Sequence, residues 1–167
     1  MNISPEQCKY LINLSESKKG WKRIRFGSKT SYRTVMFGLD NEEIKYLIIK
    51  YCNDYLNITI DNVNVGIIKY ETGDLFQRHI DNGGSTHRNL FSKDFIYNIN
   101  VILNDDYEGG EFYLNDKPYP KPPGEIYHYK SNEYHEVKKI TNGIRYSALF
   151  YIRYQDIIEF QKLKKII

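Results

Sequence analysis

His79 and Asp81 stand two positions apart in Phe76-Gln77-Arg78-His79-Ile80-Asp81. His135 follows 54 positions after Asp81, and Arg145 ten positions after His135. Side chains at i and i+2 of a β-strand leave the same face. An imidazole from a distant strand can then close a set of two histidines and one carboxylate. Such a set caps one face of an octahedral metal and leaves open positions, which suits non-haem Fe(II) and oxygen chemistry. Three protein ligands leave three of the six positions of such an ion open. Taken singly, each histidine reads more readily as a satisfied core or surface residue than as a ligand, so the weight lies in the set. Arg145 alone reads as an exposed strand residue. On an inward face it would be costly unless it met an anion, and beside a metal its planar fork fits a carboxylate.

Two further histidines divide differently. His128 lies between Tyr127 and Tyr129 and, by strand alternation, faces away from both, which reads as structural. His87, with Arg88, sits in the polar stretch 82–94 directly after Asp81. That stretch is expected as a loop beside the metal. Its plain reading is solvent exposure, and its functional reading is substrate contact from a closing lid. Lys18, Lys19, Lys22, Arg23, Arg25, Lys29 and Arg33 form a basic stretch with no acid between them. A solvated hairpin is the plain reading. The sharper one is a cradle for an acidic polypeptide or a nucleic-acid backbone, helped by Trp21 and Phe26.

The elements that must hold these residues are mostly strands. Ser4, Pro5 and Gln7 form a helix start, and the helix is expected to run to about Ser15. Strand-like segments follow over 21–26 and 33–39. Asp40 or Asn41 caps a second helix whose apolar face carries Ile44, Leu47, Ile48, Tyr51 and Tyr55. Beyond it, short strand-like runs cover 63–70, 75–81, 95–103, 111–114, 124–129, 134–139 and 145–154. Turn signals such as Thr72-Gly73, Ser131-Asn132 and Asn142-Gly143 separate them. The pattern predicts a mainly β fold with flanking helices. Its expected form is a jelly roll (a double-stranded β-helix) with the N-terminal helices packed outside, because a jelly roll can place a ligand site inside the roll. The 167 residues are expected to form one domain. Residues 1–61 would be helical and hairpin support, 62–154 the jelly-roll core, and 155–167 a C-terminal helix or tail.

Composition excludes several classes. A hydrophobic content of 41% fits a globular chain. No run of eighteen apolar residues is present, so no membrane span is expected. The first residues lack a basic region followed by an apolar stretch, so a cleaved secretion signal is not expected, and the predicted location is cytoplasmic or intracellular. Cys8 and Cys52 have no metal-binding spacing and read as buried thiols in a reducing compartment. A net charge of +3 is too small to imply nucleic acid by itself.

Longer motifs extend the pattern. Tyr70-Glu71-Thr72-Gly73 precedes His79 by nine positions, counted from Tyr70. Asn98-Ile99-Asn100-Val101-Ile102-Leu103-Asn104 leads to Tyr107-Glu108-Gly109-Gly110-Glu111-Phe112. Lys121-Pro122-Pro123-Gly124-Glu125-Ile126 comes before His135-Glu136-Val137 and Gly143-Ile144-Arg145-Tyr146. Over 70–152, about half the protein, the chain resembles the 2-oxoglutarate and Fe(II)-dependent dioxygenases, among them the prolyl and lysyl hydroxylases. The resemblance implies that His79, Asp81 and His135 hold Fe(II). Arg145 would bind the far carboxylate of 2-oxoglutarate, with Tyr70 a hydrogen-bonding neighbour. Asn100 matches an asparagine of the lysyl group that contacts the cosubstrate. Dioxygen is the other cosubstrate, and ascorbate an accessory reductant. The chain departs from the family in two places. Many collagen-type prolyl hydroxylases carry lysine where Arg145 stands, and oxygen-sensing ones carry tyrosine where Ile102 stands.

The leading expectation is an enzyme that hydroxylates an unactivated C–H of a prolyl side chain in a polypeptide. A peptidyl-lysyl hydroxylase is the alternative, as is an oxygenase acting on nucleic acid or a free amino acid. The nucleic-acid demethylases resemble an ending that Arg145-Tyr146-Ser147-Ala148-Leu149-Phe150-Tyr151 does not reproduce. A non-catalytic jelly-roll binding module would have no reason to keep three ligands and an anion clamp together. A zinc hydrolase would have no need of Arg145.

Overall fold

The computed structural model describes residues 1–19, 21–26, 30–61, 63–81 and 95–158, and for 24–26 and 30–37 the backbone alone. The first helix, α1 (Pro5–Ser17), begins with a capping box: the Ser4 hydroxyl accepts from the Gln7 N–H at 3.2 Å, and the Gln7 side chain accepts from the Ser4 N–H at 2.7 Å. Cys8, Leu11 and Ser15 follow helical spacing and are buried. Asn41 caps α2 (Glu42–Tyr51) by accepting from the Ile44 N–H at 3.0 Å. Ile44, Ile48 and Tyr51 form its buried face.

Tyr55 does not share that face. The helix widens into a π-turn over Cys52–Leu56, and the longer turn shifts the phase of everything after Tyr51. Cys52 becomes fully buried, while Tyr55 points outward and stacks on Tyr51 with ring centroids 4.7 Å apart.

Eleven strands are described: β1 (Lys22–Phe26), β2 (Thr30–Gly38), β3 (Asn64–Glu71), β4 (Phe76–His79), β5 (Phe95–Ile102), β6 (Tyr107–Gly109), β7 (Phe112–Leu114), β8 (Lys117–Pro118), β9 (Ile126–Lys130), β10 (His135–Val137) and β11 (Ile140–Arg153). The major sheet runs β1-β2-β3-β11-β5-β9, with β6 pairing β11, and the minor sheet runs β4-β10-β7-β8. All pairings are antiparallel. The jelly-roll fold follows from these two sheets facing each other across an interior. The expected hairpin is β1–β2, and it extends the major sheet through the β2–β3 pairing.

Alternation along the central strands separates two cores. One face of the major sheet carries Val65, Ile67, Ile99, Val101, Ala148, Phe150 and Ile152 against Leu11, Ile44 and Ile48 of the helices. The other face carries Tyr70, Ile102, Tyr127 and Tyr129 toward Phe76, Phe112 and Val137 inside the roll. The helices therefore cover the outer face of the major sheet and leave its inner face to the site.

Two expectations about breaks change. Asn142-Gly143 does not end a strand. It lies within β11, where the pairing with β6 shifts register and Gly143 takes φ +82°. The shift falls between Ile140 and Asn142, and Gly143, whose φ glycine permits, pairs with Tyr107 as the strand continues. Residues 155–158 form no long helix: Tyr154–Asp156 is a 3-10 turn and Ile157 bridges to Ile60. Positions 159–167 lie outside the described residues. No described helix is long and apolar enough to cross a membrane.

Both cysteines are free and buried. Burial pushes the Cys8 thiol up to about 11 and the Cys52 thiol up to about 12. Native protein at pH 8 is therefore expected to react with a thiol reagent at least about tenfold more slowly than the unfolded chain, since the thiolate is the nucleophile. Equal rates before and after denaturant would contradict this packing.

Candidate metal centre and anion pocket

A bulge in the first ligand strand aims the site. His135 pairs with His79 while Val137 pairs with Phe76, so β4 carries one more residue than β10 between those two points. Gln77 and Arg78 both turn outward, and Phe76 and His79 both turn inward. Outside, Arg78 makes two hydrogen bonds to Asp116, at 2.7 and 3.0 Å, and lies 3.5 Å from the Tyr134 ring centroid. The strand expected over 75–81 ends at His79. Asp81 nonetheless keeps its inward direction, because its N–H donates to the Ser131 carbonyl at 2.8 Å.

The structure brings His79, Asp81 and His135 together. Their ligand atoms lie within 4.8 Å of one another, and all three residues are buried. His79 Nε2 is 3.2 Å from Asp81 Oδ1, and His135 Nε2 is 3.7 Å from Asp81 Oδ2. Each imidazole is turned by the carbonyl two residues before it: His79 Nδ1 meets Gln77 O at 2.8 Å, and His135 Nδ1 meets Glu133 O at 3.0 Å. A carbonyl only accepts, so each Nδ1 carries a proton and each Nε2 is the ring atom turned toward Asp81. Burial pushes the His135 imidazole down to about 4, with His79 adding to the effect and Asp81 opposing it. It is therefore neutral near pH 7. Burial alone would raise the Asp81 carboxyl, but His79, His135 and Asn98 outweigh it and hold the group below its usual range. Two imidazole Nε2 atoms and one carboxylate, converging within 4.8 Å, are a donor set that fits Fe(II).

Among the described residues Arg145 is the largest fully buried side chain, 1% exposed. It sits on β11 opposite Tyr70 of β3, with its guanidinium 5.6 Å from the Tyr70 ring centroid. It donates to the Ser147 hydroxyl at 3.2 Å, and its Nε has no hydrogen-bond partner. Among the described residues no carboxylate pairs with it. A buried cation so placed is expensive until an anion arrives. The Tyr127 hydroxyl lies within its field, and burial keeps that phenol protonated, well above its usual range. Tyr127 connects to the metal cluster through packed rings. Phe112 is 5.8 Å from Tyr127 and 6.1 Å from His135, and Tyr129 is 4.7 Å from His135. Asn100 is buried opposite Tyr127, with its Oδ1 lacking a partner. Ligand cluster and guanidinium thus share one interior.

The six residues singled out from the sequence, His79, Asp81, His135, Arg145, Tyr70 and Asn100, all lie in this interior. His87 and Arg88, with the loop 82–94, lie outside the described residues. His128 faces away from it, and its Nδ1 meets the Tyr51 hydroxyl at 2.8 Å. In the basic stretch, Arg23 is held by Asp74 and by Glu71, the latter at 2.9 Å. Lys18, Lys19 and Lys22 are exposed. Sequence reasoning missed Tyr127, Tyr129 and Asn98. Alternation carried a signal for them: if His128 faces out, Tyr127 and Tyr129 face in, and Asn98 shares a face with Asn100.

Residues 65–153 match the sequence profile of the 2OG-Fe(II) oxygenase superfamily, and the chain belongs to that superfamily. Its oxygenases use Fe(II), 2-oxoglutarate and dioxygen. A PKHD-type hydroxylase of Synechococcus sp. is 28% identical over 89 residues, covering 50% of this chain and 40% of that protein. The chain thus spans about two fifths of the length of the curated relatives it matches. A Pseudomonas putida prolyl-4-hydroxylase shares the fold with TM-score 0.68, at 12% identity over 90% of this chain and 88% of that one. So does a Trichoplax adhaerens prolyl hydroxylase solved with a hypoxia inducible factor peptide fragment. It has TM-score 0.60 and 22% identity, over 90% of this chain and 77% of that one.

Proposed function

We propose that this chain, as one domain over 1–167, is a 2-oxoglutarate-dependent Fe(II) dioxygenase that hydroxylates a prolyl side chain of a polypeptide. His79, Asp81 and His135 would hold the iron. Arg145 would clamp the far carboxylate of 2-oxoglutarate, with Tyr70, Asn100 and Tyr127 around it. The observation that carries this reading is the buried Arg145, without a carboxylate partner among the described residues, opening on the interior where three ligand atoms converge. Fe(II) bound there supplies dioxygen activation coupled to oxidation of 2-oxoglutarate, giving succinate, carbon dioxide and a hydroxylated C–H.

The chain's own residues bind, orient and exclude. The Gln77 and Glu133 carbonyls fix the two imidazoles. Arg145 supplies a charge-assisted fork, and the protonated Tyr127 adds a neutral donor beside it. Phe76, Phe112 and Tyr129 keep the interior apolar, which strengthens each polar contact within it. Gly110 leaves room for the clamp: a Cβ there would meet Ile140 Cδ1 at 2.2 Å and Arg145 Cδ at 3.2 Å, at a φ of +68°. Gly110→Ala is therefore expected to cost about 1–3 kcal/mol of stability and to raise the KM for 2-oxoglutarate. A thermal melt and KM both unchanged would contradict this.

Two observations support proline over lysine. Two solved proteins that share this fold are named as prolyl hydroxylases, one of them holding a peptide. A lysine ammonium would also want a carboxylate near the iron. Among the described residues the buried carboxylates are Asp74, held by Arg23, and Asp81 itself. The test is succinate release against proline- and lysine-containing peptides, with mass detection of one added oxygen. Oxygen on proline is the expected result. Oxygen gained only by lysine, nucleic acid or a free amino acid would overturn the substrate assignment.

A further inference from the structure

Asn98 is 0% exposed on β5, on the inward face it shares with Asn100. Its Nδ2 donates to Asp81 Oδ2 at 2.6 Å. The other carboxylate oxygen, Oδ1, makes the nearer approach to a ligand imidazole, 3.2 Å from His79 Nε2, against 3.7 Å from Oδ2 to His135 Nε2. Asp81 is thus tied twice, by the Ser131 carbonyl to its N–H and by Asn98 to one end of its carboxylate. Neither tie comes from β4 or β10, the strands that carry the two histidines.

We propose that Asn98 is a positioning residue that sets how Asp81 meets the metal. By occupying Oδ2 it leaves Oδ1 as the ligating oxygen and keeps the carboxylate monodentate. The inference rests on the iron assignment above. Six positions surround an octahedral ion. Two imidazoles and one carboxylate oxygen fill three, which leaves room for a chelating 2-oxo acid and one further ligand. A carboxylate that chelated through both oxygens would remove the last of these. Carboxylates adopt either mode readily, and a hydrogen bond to an ionised oxygen is of the stronger kind, so a fixed amide donor can decide between them. A purely structural Asn98 would affect folding without changing the number of positions left on the metal.

That number can be read without turnover. Mn(II) stands in for Fe(II), and water-proton relaxation reports how many waters it keeps. Wild type is expected to bind Mn(II), and Asn98→Leu to bind it with one water fewer as Asp81 closes onto the ion. Asn98→Ala gives a second variant should leucine overpack the site, and circular dichroism confirms the fold of each. Equal hydration of the ion in wild type and both variants would overturn the role of Asn98 and leave the iron assignment standing. Failure of wild type to bind Mn(II) or Fe(II) would overturn the assignment itself.

Discussion

Asp81→Ala is expected to abolish iron binding and reduce 2-oxoglutarate turnover to background. The Asp81 carboxylate, 2% exposed, is the one anionic ligand of the set, and both Nε2 atoms face it. Outer partners of metal ligands are worth about 10–100-fold in metal affinity, so loss of the ligand itself should exceed about a hundredfold. His79→Ala should behave alike, because His79 and His135 reach the carboxylate from paired strands and neither can replace the other. Anaerobic Fe(II) titration of each variant checks this. Full activity in either variant would sink the ligand assignment.

Arg145→Ala is the second large effect. Cutting one partner from a desolvated charged pair costs about 2–5 kcal/mol, roughly 30- to several-thousandfold in the KM for 2-oxoglutarate. Arg145→Lys should recover part of the loss, since it keeps the charge and gives up the fork. The same burial predicts an opposite effect on the free protein. With its charge paired to no carboxylate among the described residues, the guanidinium penalises the unliganded fold, so Arg145→Leu should melt no lower than wild type when 2-oxoglutarate is absent. Steady-state kinetics with varied cosubstrate, alongside melts with and without it, separate the two effects. An unchanged KM in the alanine variant would place the anion clamp elsewhere.

Strand alternation made the site readable and also bounded what could be read. His79 with Asp81 needed only the period of a strand, and Arg145 the expectation that a buried arginine meets an anion; Tyr70 came from the family resemblance, and its place opposite Arg145 is a cross-strand pairing. The β4 bulge that turns Gln77 and Arg78 outward together is invisible to a period-two reading, because it breaks the period. Alternation also says which residues share a face without saying which face is inside. Tyr127 and Tyr129 were therefore passed over even though His128 was correctly set apart from them. Asn98 depended on a partner from another strand, and that pairing is a tertiary fact. Elements as short as Tyr107–Gly109 and Lys117–Pro118 hold too few residues to show a pattern. The π-turn at Cys52–Leu56 moved Tyr55 off the face that helical spacing assigned to it.

The most direct test of the account is an anaerobic titration of the chain with Fe(II) and then 2-oxoglutarate, followed by visible absorption. A 2-oxo acid chelated to Fe(II) gives a charge-transfer band that neither partner shows alone. The account predicts that the band saturates near one iron per chain in wild type. It should need far more 2-oxoglutarate in Arg145→Ala and be absent in Asp81→Ala. No band in wild type, or an equal band in Asp81→Ala, would contradict it.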